Sequence, residues 1–232
     1  MGTILWLVIA LVSARPTLAS TSAVVLPLHI TRAGTTTAAT CTLIHREDRD
    51  DGVRLSFVTA GHLFRTPDGE RLAQETSIIV GFGKETLVVA RADVVLPAAL
   101  VVDVALLQVN VAHTDLVPGP IGFEPPAPGA GFLISVLAAG RPTDVPQRTR
   151  FVTTVLLVGD RDVSGFEGCL GSAATATTGA FGVVTSCEPG RTPIVTLFRA
   201  ARAFLERNIP ALRRPSLTDA SHRRSPSGVS AS

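Results

Sequence analysis

Short runs of Val, Ile, Leu and Thr, each of strand length and each closed by Gly, Pro, Asp or Asn, recur along this chain from residue 23 to residue 198. They read "AVVLPLHI", "TCTLIHRE", "RLSFVTAG", "TSIIVGFG", "ETLVVARADVV", "DVALLQVNV", "GFLISVLAAG", "RFVTTVLLVG", "GAFGVVTS" and "TPIVTLF". β-branched side chains pack well on a pleated surface, and turn residues at this spacing fold one strand back on the next. The pattern therefore predicts an all-β protein of two sheets or barrels. Only "FRAARAFLERNIPAL" carries a helical period, with Phe198, Ala201, Phe204, Leu205 and Ile209 on one face before Pro210 stops it. A single helix is expected to close the fold.

With 232 residues, 46% hydrophobic and 17% charged, the chain is long and apolar enough to bury one large core or two small ones. The apolar run in "MGTILWLVIALVSARPTLAS", followed by small residues at Thr17 and Ala19, predicts a signal peptide over 1–19 and export to a secreted or periplasmic location. The run is too short for a membrane span, and the longer apolar region from Leu87 to Val111 is broken by Arg91, Asp93, Pro97 and Asp103. No membrane attachment is expected once the leader is removed. The Pro- and Gly-rich stretch "HTDLVPGPIGFEPPAPGAG" divides the strand groups. It places a first barrel over 20–113, a linker over 114–127 and a second barrel with its helix over 128–212. Residues 213–232, rich in Ser, Arg and Pro, read as a disordered tail. The formal net charge of +2 is too small to argue for nucleic acid, and the basic cluster in the tail lacks aromatic residues to stack bases.

Three cysteines are too few for a disulfide scaffold and lack zinc-finger spacing. In an exported protein they predict one bridge and one free thiol. Cys169 with Cys187 is the expected pair, since both flank "GFEGCLGSAATATTGAFGVVTS".

Two residues stand out chemically. His62, in "FVTAGHLF", follows a strand and projects from a small-residue turn; Asp103, in "VVDVALLQV", is a carboxylate among apolar neighbours. An isolated acid there would be costly without a hydrogen-bond or charge partner, and His62 is the candidate. A carboxylate accepting from one imidazole nitrogen fixes the tautomer and leaves the other nitrogen as a base. The alternative is a hydrogen-bonded pair with a structural role alone.

On these residues the chain resembles the trypsin-like, chymotrypsin-fold serine proteases. "TAGH" is similar to that family's "TAAH" turn around its catalytic histidine, and "DVALLQV" to the strand around its catalytic aspartate. "ATCTLI" resembles the "GTGFLI" strand of bacterial members, "GAFGVVTS" the strand lining their substrate cleft, and "ARAFLERNI" their closing helix. The resemblance spans roughly residues 24 to 210. It implies two perpendicular six-stranded β-barrels with a cleft between them, catalytic roles for His62 and Asp103, and no metal or organic cofactor.

The family's third motif, "G-D-S-G-G-P", falls on Gly168, Cys169, Leu170, Gly171, Ser172 and Ala173. The backbone N–H groups of Gly168 and Leu170 would then form the oxyanion hole, and Leu170 would occupy the place of the nucleophilic serine. Leucine cannot form an acyl-enzyme. Gly168 and Gly171 could instead serve only a tight turn. Ser164 would help form the base of a neutral specificity pocket, and Val184, Thr185 and Ser186 would line the cleft. Two rivals remain open: an active serine at Ser164 or Ser172, or Cys169 as a thiolate nucleophile, which would put Glu167 at the oxyanion glycine. The resemblance thus implies an exported, monomeric protease homologue without peptidase activity that binds a peptide or protein in its cleft. The alternatives are a working endopeptidase with another nucleophile, and a β-sandwich binding module unrelated to proteases.

Overall fold

The computed structural model of the chain describes residues 23–213, apart from 33, 67, 72–76, 83–87, 140 and 167. The leader expected over 1–19 and nearly all of the tail expected over 213–232 lie outside the described residues.

Antiparallel strands form two sheets. The first comprises β1 (Val25–Arg32), β2 (Thr35–Arg49), β3 (Gly52–Ala60), β4 (Ser77–Phe82), β5 (Val88–Arg91), β6 (Asp93–Val95) and β7 (Val104–Val111), in the order β5-β4-β1-β2-β3-β7-β6. The second comprises β8 (Gly131–Ala138), β9 (Arg141–Arg148), β10 (Phe151–Val152), β11 (Leu156–Val158), β12 (Ala173–Ala176), β13 (Gly179–Ser186) and β14 (Ile194–Leu197), in the order β10-β11-β14-β13-β12-β8-β9. The chain is all-β with one α-helix, α1 (Phe198–Asn208), as its strand pattern and closing helical period predict.

Each sheet has seven strands where six were expected, and the difference lies in short segments. "ETLVVARADVV" reads as one run but breaks at Ala92 into β5 and β6. "RFVTTVLLVG" breaks into β10 and β11 because Thr153 closes a tight turn, its N–H donating to the Leu156 carbonyl at 2.8 Å and its Oγ1 accepting from the N–H of Val155 and Leu156. β9 escapes pattern reading altogether: it carries Pro142 and Pro146 and is mostly exposed. Proline cannot donate to a ladder, and β9 stands at a sheet edge, where the missing N–H is tolerated.

Each sheet has its own apolar core. Leu28, Leu43, Leu55, Phe57 and Leu107 fill the first; Phe132, Ile134, Phe181, Val195 and Leu197 fill the second, where the rings of Phe132 and Phe181 meet edge to face at 5.7 Å. A third cluster joins them. Val58, Val104 and Leu106 from the first sheet meet Ala180 and Val183 from the second, and α1 lays Phe198, Ala201, Leu205 and Ile209 across the junction. Complete burial of a large apolar side chain contributes about 1.5–3 kcal/mol, so this layer is what fixes one sheet against the other. Part of the connector is pinned there too, through Gly122 N–H to Ala180 O at 2.8 Å and Ala180 N–H to Pro120 O at 2.9 Å.

Candidate active site

β3 runs directly into a single 3₁₀ turn, Gly61–Phe64. Leu63 and Phe64 are drawn into the first core, which turns the intervening imidazole outward, with 47% of the His62 side chain exposed. Gly61 is needed at this turn because a Cβ there would stand 2.9 Å from the Val104 nitrogen and 3.1 Å from Asp103 Oδ1. Asp103 lies just before β7 rather than within it, so its carboxylate stands at the end of the sheet facing that turn. The His62 backbone N–H donates to Oδ1 at 2.6 Å, and Nδ1 stands 2.8 Å from Oδ2. Both carboxylate oxygens are therefore occupied by one residue. A carboxylate only accepts, so Nδ1 carries the proton in the neutral ring and Nε2 is left as the basic nitrogen. Nε2 has no hydrogen-bond partner among the described residues.

The turn Gly168–Ala173 comes from the second sheet and docks on the first. Gly168 and Gly171 have φ of 61° and 85°, the left-handed region that disfavours a side chain. At Gly171 a Cβ would lie 2.0 Å from the Thr40 carbonyl oxygen and 2.2 Å from Thr59 Oγ1, so glycine is required by close approach as well as by φ. Three threonines seat the turn. The Leu170 carbonyl accepts from Thr40 N–H at 2.9 Å and Thr40 Oγ1 at 2.8 Å. The Gly171 carbonyl accepts from Thr42 Oγ1 at 3.1 Å, and Thr59 Oγ1 donates to the Thr40 carbonyl at 2.7 Å. From its own sheet the turn is held by Gly171 N–H to Val184 O at 2.8 Å and Val184 N–H to Ser172 O at 2.9 Å. Thr59 is three residues before His62, so the turn is docked beside the strand that leads into the His62 turn. The Leu170 side chain is half-buried against the first core. Neither Gly168 N–H nor Leu170 N–H donates to an acceptor among the described residues.

The rival residues are placed differently. Ser172 is fully buried, with Oγ 3.2 Å from Thr40 Oγ1. Ser164 lies in the preceding loop, its N–H donating to Asp162 Oδ1 at 2.7 Å. Cys169 is bonded to Cys187, which ties the turn to the end of β13 and removes the thiol while the bridge stands. Glu167 lies outside the described residues. Cys41 is the free cysteine; it is buried in the first core, where desolvation pushes its thiol up and away from thiolate character.

Around the turn, β12 begins at Ala173 opposite Val183, so Thr185 and Ser186 of β13 run beyond it with no strand on that side among the described residues. The Thr185 hydroxyl is held by Thr196 Oγ1 at 3.0 Å. Asp162, which sequence reading passed over, clamps two loops: it accepts from Ser164 N–H and, at 2.8 Å, from Gly190 N–H, and these bonds hold its carboxyl below the usual carboxylate range. The threonine seat also went unread, since Thr in a strand signals only β propensity and its partners lie some 130 residues away. A groove of about 660 Å³ is lined by His62 together with Ile30, Arg32, Thr35, Thr37, Leu63, Arg65 and Thr66. No cluster of three or more His, Cys, Asp or Glu side chains suited to a metal ion occurs among the described residues, and no described helix is long and apolar enough to cross a membrane.

Solved structures of serine proteases share this architecture. A serine endoprotease from Yersinia pestis superposes with a TM-score of 0.56 at 19% identity over 82% of this chain and 64% of its own. The fold is that of the chymotrypsin-like serine proteases. The active form of the Rv3671c protease of M. tuberculosis matches with a TM-score of 0.55 at 20% identity, over 78% of either chain. A scabies mite inactivated protease paralogue matches with a TM-score of 0.59 at 11% identity, covering 82% of this chain and 95% of that one. The chain thus spans less than two thirds of the Yersinia protein but nearly all of the mite protein. No protein-family model matches the sequence, and no curated protein does.

Proposed function

We propose that this chain is an exported protease homologue that binds a peptide or protein in the cleft between its sheets and does not cleave it. One observation carries the reading. His62 and Asp103 are joined through both carboxylate oxygens, and the turn docked on Thr40 and Thr42 carries Leu170 where the family resemblance puts the nucleophilic serine. Without a hydroxyl or thiol there, no acyl-enzyme forms, and Nε2 of His62 has no nucleophile to deprotonate.

The binding half of the reading rests on what stays available. Thr185–Ser186 lies beside β14 on one side and beyond the last β12 pair on the other, so its second side offers a strand edge to an extended peptide, and the Gly168 and Leu170 N–H groups offer donors to a carbonyl. Ser172 is sealed away from any substrate, and Cys169 is in a bridge, so neither supports a working endopeptidase. The disulfide suits an oxidising compartment, in keeping with export.

The test is active-site labelling of the purified protein with a fluorophosphonate probe that reacts with activated serines. Wild type should stay unlabelled, Leu170→Ser should label, and Leu170→Ser with His62→Ala should lose the label. Labelling of wild type that His62→Ala abolishes would show that a working serine exists elsewhere and end the proposal.

A further inference from the structure

The groove beside His62 has a chemistry that the nucleophile's absence does not explain. Its lining is cationic and hydroxylic: Arg32 and Arg65 line it with the imidazole, Thr35, Thr37 and Thr66 supply hydroxyls, and Ile30 and Leu63 supply apolar surface. No carboxylate lines it among the described residues.

Both guanidinium groups are oriented without being neutralised. Arg32 donates to the Leu63 carbonyl at 2.8 Å. Arg65 donates to the carbonyls of Gly69 and Pro97, at 3.0 Å and 2.6 Å. A carbonyl fixes the direction of a guanidinium but leaves its full charge in place, and neither arginine forms an ion pair among the described residues. Of the described acids near His62 in the chain or in space, Asp103 has both oxygens on His62, and Asp68 and Glu70 lie in the exposed turn that follows Arg65. Preoriented charges with no counter-ion among the described residues favour an anionic ligand, because part of the ordering entropy has already been lost in folding. The guanidinium's planar fork matches a carboxylate in particular. The open edge at Thr185–Ser186 of β13 suits an extended chain rather than a small ion.

We infer that this groove selects an acidic peptide segment, with Asp or Glu side chains meeting Arg32 and Arg65 next to His62. The inference rests on the reading of the cleft as a peptide-binding site and adds the class of peptide. Each partly exposed arginine–carboxylate contact contributes about three- to fivefold in affinity, so two together give a preference of about 10- to 25-fold over an uncharged peptide.

The experiment uses the full purified chain and two fluorescein-labelled decapeptides, one of alternating Glu and Ala, the other of alternating Gln and Ala, read by anisotropy at low and moderate salt. The Glu peptide should bind about 10- to 25-fold more tightly, and the difference should shrink as salt rises. Arg32→Gln should weaken the Glu peptide about three- to fivefold and leave the Gln peptide unchanged; Arg32→Lys should restore most of the loss; Arg150→Gln, on the second sheet, should change neither. Equal binding of the two peptides would overturn the charge preference while leaving peptide binding intact. Binding of neither would overturn the inference and the cleft-binding reading together, with the labelling result at Leu170 unaffected. A loss in Arg150→Gln equal to that in Arg32→Gln would show unspecific attraction to a basic surface and overturn the assignment to this groove.

Discussion

Gly171→Ala tests whether the turn is held by the fold itself. The substitution adds one methyl group to a residue at φ 85°, where an L side chain costs about 1–2 kcal/mol. The added carbon would sit 2.0 Å from the Thr40 carbonyl oxygen and 2.2 Å from Thr59 Oγ1. The first is backbone within a central strand and cannot swing aside, so the turn must lift. Lifting it threatens the bonds from Thr40 to Leu170 O and from Thr42 to Gly171 O, each with a net contribution of about 1 kcal/mol. The sum is a destabilisation of about 3–4 kcal/mol, against a total stability of about 5–15 kcal/mol for a domain. Urea unfolding reads it directly: with a slope of about 2 kcal/mol per molar, the midpoint should fall by about 1.5–2 M. Gly165→Ala is the control in the same loop; a Cβ there meets nothing within 4 Å, and the midpoint should hardly move. A loss below about 1 kcal/mol in Gly171→Ala, with the slope unchanged, would refute the claim that Thr40 and Thr59 leave no room above them.

Removing the bridge with Cys169→Ser and Cys187→Ser, which opens a loop with a sequence separation of 18, should cost about 3 kcal/mol in the same urea assay, and dithiothreitol should mimic the effect on wild type. Placing Asp103→Asn in the Leu170→Ser background should slow fluorophosphonate labelling by about 10³–10⁴-fold, because an amide no longer holds the Nδ1–H tautomer. Burial lowers the pKa of His45 below its usual value, an effect that Glu47 opposes only in part. The unfolded chain therefore binds that proton more tightly, and stability should decline as pH falls through about 6.5. Unfolding midpoints from pH 7.5 to 5.5 should fall less in His45→Gln than in wild type.

How much of this was legible in the sequence depends on the range over which each feature is written. The His62 turn and the Asp103 strand entry are local, and each is a short string whose neighbours force the geometry: Leu63 and Phe64 go inward, so His62 goes out. The bridge between Cys169 and Cys187 follows from few cysteines and a short separation. The helix α1 announces itself through Phe198, Ala201, Leu205 and Ile209. What escaped is non-local or too short to have a period. Nothing near Thr40 says that its hydroxyl will meet the carbonyl of Leu170, and two-residue β10 has no alternation to detect. β9 was hidden by its prolines, which mark it as an edge only once its partner is known. Asp162 looks like a turn residue until Gly190 is seen across the loop.

The threonine seat separates the shape of this site from its chemistry. None of the hydrogen bonds that hold the Gly168–Ala173 turn uses the side chain at position 170; they run from Thr40 and Thr42 to the carbonyls of residues 170 and 171, between Thr40 and Ser172, and to Val184. The turn's hydrogen bonding is therefore written at other positions, and the side chain at 170 adds only its packing against the first core. A substitution there changes the chemistry of the site while leaving those hydrogen bonds in place.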